Sequence, residues 1–75
     1  MSKLPRISGK GMAGVLFRLG FQLKSQKGSH MKFVKQHLYG KEIIIVPNHK
    51  ILRPGTLMGI LGKLNLNGEK LKELL

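Results

Sequence analysis

The chain has 75 residues, a formal charge of +11 from 14 Lys and Arg against three acids, 41% hydrophobic residues and no cysteine. That balance excludes a disulfide frame or cysteine-based zinc site, a disordered basic tail, and chemistry that needs converging carboxylates, such as a two-metal nuclease or a glycosidase. What remains is a single folded basic domain over residues 1–75, whose charge points to a polyanionic partner.

A domain this short buries only roughly 60% of its unfolded surface, and its core supplies about 3–5 kcal/mol. A partner chain, self-association or a ligand is therefore expected to add stability. No apolar run approaches the roughly 18 residues of a membrane span. The basic start, Met1 to Arg6, is followed by glycines rather than by the apolar stretch of a secretory signal. The expected location is the cytoplasm.

Residues 1–7 read as an extended basic lead-in, kept out of helix by Pro5. Ser8 suits a helix N-cap. Met12, Val15, Leu16 and Leu19 then follow at i, i+3, i+4 and i+7, one helical stripe. Gly20 fits the position that ends the helix. Gly9, Gly11 and Gly14 weaken it, by up to about 1 kcal/mol at an interior site. Phe21 and Leu23 alternate with Gln22 and Lys24, a strand ending near Gln26. A turn at Lys27-Gly28 leads to a second strand, with Met31 and Phe33 on one face and His30, Lys32 and Val34 on the other. The segment 36-QHLYGK-41 turns around Gly40, and 42-EIIIV-46 is a β-branched third strand stopped by Pro47.

The loop 47-PNHKILRPG-55 follows, and Pro54 suits the first turn of a new helix. Its stripe is Leu57, Ile60, Leu61 and Leu64. Asn65 or Asn67 breaks or caps it, and 68-GEKLKELL-75 is a short last helix with Leu71, Leu74 and Leu75 inward. Met12, Met31 and Met58 read as core filler. The order is α-β-β-β-α with a short extra C-terminal helix. This is an α+β domain: a three-stranded antiparallel meander with helices packed on one face. If Met31 and Phe33 meet the helices, His30 and Lys32 stand on the open face. Either Ile43 and Ile45 or Ile44 and Val46 join them there. A basic yet partly apolar face suits a partner.

A lone histidine on a strand is seldom catalytic by itself; His30 becomes a candidate if the polyanionic partner is RNA. RNA carries its own nucleophile, the 2′-OH. Cleavage needs a base for that proton, donors for the charge building on phosphorus, and an acid for the leaving 5′-oxygen. Histidine suits the base, since its unperturbed pKa is about 6.5. Lys24, Lys27, Lys32 and Lys35 are the cations expected to bind phosphate. The Gly28 and Ser29 backbone N–H groups add donors at the turn. One positioned base contributes about 10²–10⁴-fold. The candidate acids are His49, Lys32 and Tyr39. His49 otherwise organises its loop through hydrogen bonds, and His37 reads as exposed. Zinc on the three histidines is a weak alternative, because no pattern such as H-E-x-x-H is present.

Four stretches in order, 20-GF-21, 26-QKGSHMKF-33, 45-IVPNH-49 and 55-GTLMGIL-61, resemble the HicA toxin family (YcfA-like proteins) over about residues 7–74. The resemblance implies a double-stranded-RNA-binding-domain-like fold and a ribosome-independent endoribonuclease that cleaves mRNA. It also implies neutralisation by a HicB-type antitoxin that covers the active site. The family's catalytic histidine, in its G-S-H motif, corresponds to His30, with Lys27, Gly28 and Ser29 as the active-site turn. Lys24, Lys32, Lys35, His49 and Lys50 are the expected RNA-binding residues, and no metal or other cofactor is expected.

The alternative is a non-catalytic RNA-binding module of the same fold; a weaker one is an adaptor for an acidic protein. Double-stranded-RNA-binding domains carry a lysine cluster at the start of the second helix, where 53-RPGTLMG-59 offers only Arg53. A single-stranded substrate over the open sheet face fits better than a duplex.

Overall fold

The computed structural model describes residues 4–75. Residues 1–3 of the expected lead-in lie outside the described residues, and Leu4 to Ile7 form neither helix nor strand. Ile7 is buried, and its carbonyl accepts a hydrogen bond of 2.8 Å from the Leu52 N–H.

Helix α1 spans Gly9–Arg18. Ser8 caps it, its side chain accepting from the Gly11 N–H at 2.9 Å. Met12, Val15 and Leu16 are fully buried. Gly20, at φ +93°, leaves the helix in a conformation open to glycine. Gly9 has a second reason to be glycine. A Cβ there would stand 2.2 Å from the Pro47 oxygen and 2.8 Å from the Asn48 Cα. The Gly9 N–H also donates to the His49 carbonyl at 2.8 Å. The start of α1 therefore rests directly on the loop that follows the third strand.

Strands β1 (Gln22–Lys27), β2 (His30–His37) and β3 (Gly40–Pro47) form one antiparallel sheet in that order. The β1–β2 turn is Gly28-Ser29, with φ +56° at Gly28 and no positive φ at Ser29. That is the pattern of a type II′ hairpin, which takes glycine at its first central position. Met31 and Phe33 on β2, and Ile44 and Val46 on β3, turn toward the helices and are buried. Phe33 is fully buried and meets Phe17 edge-on, with 5.5 Å between ring centroids.

Helix α2 (Pro54–Leu64) begins on a proline and ends at Asn65 in the left-handed conformation, φ 58°. Helix α3 (Gly68–Leu74) begins at Asn67, whose side chain accepts from the Lys70 N–H at 2.8 Å. Each asparagine thus has its own task, one ending a helix and one starting the next. Arg18 ties α3 to α1 by donating to the Leu74 carbonyl at 2.8 Å. Leu57, Ile60, Leu61 and Leu71 complete one shared core, and no polar or charged residue among the described residues is buried.

Two expected core residues are not core. Met58 is 62% exposed because it lies beside Leu57, off the buried stripe of α2, and Leu75 is 53% exposed just past the end of α3. The alternation of β1 is also broken. Leu23 pairs with Phe33 and Ser25 with Lys32, which leaves Lys24 as the extra residue of a β-bulge.

Two glycines test this packing in opposite directions. Gly9→Ala is expected to destabilise the fold by about 1–3 kcal/mol through overpacking. Gly59→Ala, where a Cβ meets nothing within 4 Å, is expected to stabilise α2 by roughly 0.5–1 kcal/mol. Thermal melts followed by circular dichroism measure both. A Gly9→Ala chain melting at or above the parent would refute the close approach.

Candidate active site on the open face

Residues paired across an antiparallel sheet share a face. His30 lies opposite Lys27 on one side and Pro47 on the other. Lys32 lies between Ser25 and Ile45, and Val34 between Gln22 and Ile43. These rows face away from the helices. Ile43 and Ile45, 37% and 44% exposed, are thus the outward pair of β3.

The bulge decides what β1 contributes. Strict alternation from Phe21 would turn Ser25 and Lys27 toward the helix side. The extra residue at Lys24 resets the parity. Lys24 and Gln22 line one groove of the open face, while Ser25 and Lys27 line the next.

His30, Lys27, Lys32, Ser25 and Ile45 line one shallow cleft of about 300 Å³. His30 is exposed and Lys32 half-buried. All three acids lie elsewhere: Glu42 contacts His37, Glu73 lies 3.8 Å from Lys70, and Glu69 sits in the first turn of α3. The cleft therefore carries lysine charge with no carboxylate to neutralise it, an arrangement that attracts anions.

The hairpin that carries His30 is held at its tip. The Gln26 side-chain amide donates to the Gly28 carbonyl at 3.1 Å. The Asn48 N–H donates to the Ser29 carbonyl at 2.6 Å, and the next residue, His49, accepts from Gly9. The turn is thereby tied through the Pro47–His49 segment to the start of α1. A family model described as the HicA toxin of bacterial toxin–antitoxin systems matches residues 9–66, which include all of these parts. The chain belongs to the HicA toxin family. An antitoxin is accordingly its partner. No curated protein and no solved structure gives a significant match. No described helix is long and apolar enough to cross a membrane.

In this HicA chain the expected site residues fall into separate groups. Lys27 and Lys32 join His30, with Gly28 and Ser29 as the turn between β1 and β2. His49 and Lys50 line a different cleft, with Ser8, Lys10 and Asn48. The His49 carbonyl accepts from the Gly9 N–H, and its ring makes no hydrogen bond among the described residues. Lys24 lies farther along the open face, in a groove with Gly20, Gln22, Val34 and Gln36.

Lys35 points to the helix side, its ammonium 5.9 Å from the centroid of the Phe21 ring, in cation–π range. Tyr39 is in the turn beyond the far end of β2, an end that itself lies about 23 Å from His30 at strand rise. His37 and its partner Glu42 are at that end too. Among the described residues no three His, Asp or Glu side chains come together to hold a metal ion. Ser25 and Ile45 also line the cleft, Ser25 from outside the stretches that carry the resemblance and Ile45 from within one of them. Ile45 was one of two possibilities, whereas Ser25 depends on the bulge, which leaves no local sequence mark.

Lys27→Ala and Lys32→Ala are each expected to weaken binding of single-stranded RNA and to reduce the slope of log affinity against log salt by about 0.7. Lys35→Ala, on the opposite face, is expected to change neither. Fluorescence anisotropy across a salt series measures all three.

Proposed function

We propose that this chain is a ribosome-independent endoribonuclease that cleaves mRNA in the cytoplasm, with His30 as its catalytic base, and that a HicB-type antitoxin neutralises it. What supports the reading is a single arrangement: an exposed histidine beside two lysines, in a cleft without a carboxylate, within a HicA toxin.

His30 takes the proton of the 2′-OH. The 2′-oxygen bonds to phosphorus and the bond to the 5′-oxygen breaks. The products are a 2′,3′-cyclic phosphate and a 5′-OH. Lys27 and Lys32 offset the charge that builds on the phosphate, aided by the N–H groups of the Gly28-Ser29 turn. Of the candidate acids, Lys32 alone lines the His30 cleft, so it is the group assigned to the leaving 5′-oxygen. The nucleophile belongs to the substrate, so the reaction needs no metal-activated water. The antitoxin acts by covering the cleft. Its binding is favoured by the net charge of +11, which suits an acidic partner, and by the exposed Ile43 and Ile45.

Inducible expression of the parent and His30→Ala chains tests this through growth and mRNA integrity. His30→Ala is expected to lower cleavage at least about 100-fold, with its melting temperature unchanged. Tyr39→Phe is expected to cleave as the parent does. A parent chain that binds RNA and leaves it intact is a binding module. Equal cleavage by His30→Ala removes the histidine from the chemistry, and products ending in 3′-OH and 5′-phosphate exclude the 2′-OH route.

A further inference from the structure

The open face continues past the His30 cleft into a second groove, lined by Gly20, Gln22, Lys24, Val34 and Gln36. Its chemistry differs from that of the first. Val34 is 8% exposed although it faces away from the helices, and it stands apart from the shared core. It forms an apolar floor, with Ile43 opposite it on β3. Two neutral amides, Gln22 and Gln36, flank that floor, and Lys24 stands beside them. The Gln36 amide nitrogen donates to the Gly40 carbonyl at 3.3 Å. This holds the side chain and leaves its oxygen to accept.

We propose that this groove is a nucleobase subsite, and that Gln22 and Gln36 set the sequence preference of the RNA bound across the face. The inference rests on the proposed RNA substrate and adds the residues that choose among bases. Phosphate would be served by lysines alone. An apolar floor between two amides instead suits a flat aromatic ring with donors and acceptors on its edge. A glutamine amide offers two N–H donors and a carbonyl acceptor. It pairs with a base that presents a donor beside an acceptor, as adenine does at N6 and N7. Single-stranded RNA exposes those edges, because its bases are not committed to a partner strand.

The two sites also have a workable separation. Val34 follows His30 and Lys32 on the same face of β2, roughly 13 Å along the strand from His30. A few nucleotides of single strand cover that span. Lys24, in the groove and next in sequence to Ser25 of the His30 cleft, is placed to meet the backbone that connects base and cut. Base reading and cleavage are thus handled by different side chains of one face.

The test uses the full chain carrying His30→Ala, so that bound RNA stays intact, with and without Gln22→Ala and Gln36→Ala. The probes are an all-uridine oligonucleotide and the same oligonucleotide with one adenosine. The single adenosine is expected to raise affinity at least about fivefold. The added Gln22→Ala and Gln36→Ala pair is expected to abolish that gain and leave the salt slope unchanged. In chains that keep His30, the same pair is expected to cut RNA at a broader set of sequences. Absence of any preference among adenosine, cytidine, guanosine and uridine probes, or a preference that survives both substitutions, overturns the subsite. If the parent chain never cleaves but the preference is present and lost in the pair, the subsite stands and the endoribonuclease reading falls. Cleavage whose sequence preference ignores the glutamines gives the reverse.

Discussion

The site rests on the absence of a side chain at Gly9. Helix α1 approaches the end of β3 so closely that a Cβ would sit 2.2 Å from a carbonyl oxygen. That contact allows two backbone bonds in series, from Gly9 to His49 and from Asn48 to Ser29. A two-stranded hairpin is marginal by itself in water. Here its tip is fastened to a helix that buries Met12, Val15 and Leu16. The position of His30 is inherited from the hydrophobic core through a chain of backbone groups that no surface substitution removes.

Charge is arranged around this frame by exclusion. The core contains no polar group among the described residues, so the lysines compete for a small surface. Helix α3 holds two of the three acids, and the third meets His37 at the far end of the sheet. The hairpin end of the open face keeps its positive charge unpaired. Along β3 the same face becomes apolar, and along β2 it passes from His30 and Lys32 to Val34 and Gln36. One sheet face thus presents a cationic, an apolar and an amide region side by side. Such a surface can take a polyanion, and a folded partner can cover it.

Much of this was legible in residue spacing. The helices announce themselves because a start signal precedes an apolar stripe, a side-chain cap at Ser8 and Asn67 and a proline in the first turn at Pro54. The face of His30 follows from its position beside Met31, since neighbours on a strand point oppositely. The same rule separates Lys35 from His30, which are an odd number of residues apart. Met58 is a similar case, apolar but off the stripe. The bulge at Lys24 was not legible, because an inserted residue carries no composition of its own. It exists only relative to the partner strand, and with it goes the placement of Ser25 and Lys27.

By itself, then, the sequence determined the order of elements, the two hairpins, the opposition of His30 to Met31 and Phe33, and the family to which the chain belongs. Local backbone preference and the two periodicities act within a few residues, so they can be read directly. The tertiary structure decided that Ile43 and Ile45 rather than Ile44 and Val46 face outward, that the bulge brings Ser25 and Lys27 to His30, and that His49 opens on a different cleft. Each of these depends on pairing register or on the packing of a helix against a distant loop. A period of two specifies that side chains alternate; only the partner across the sheet specifies which side is covered.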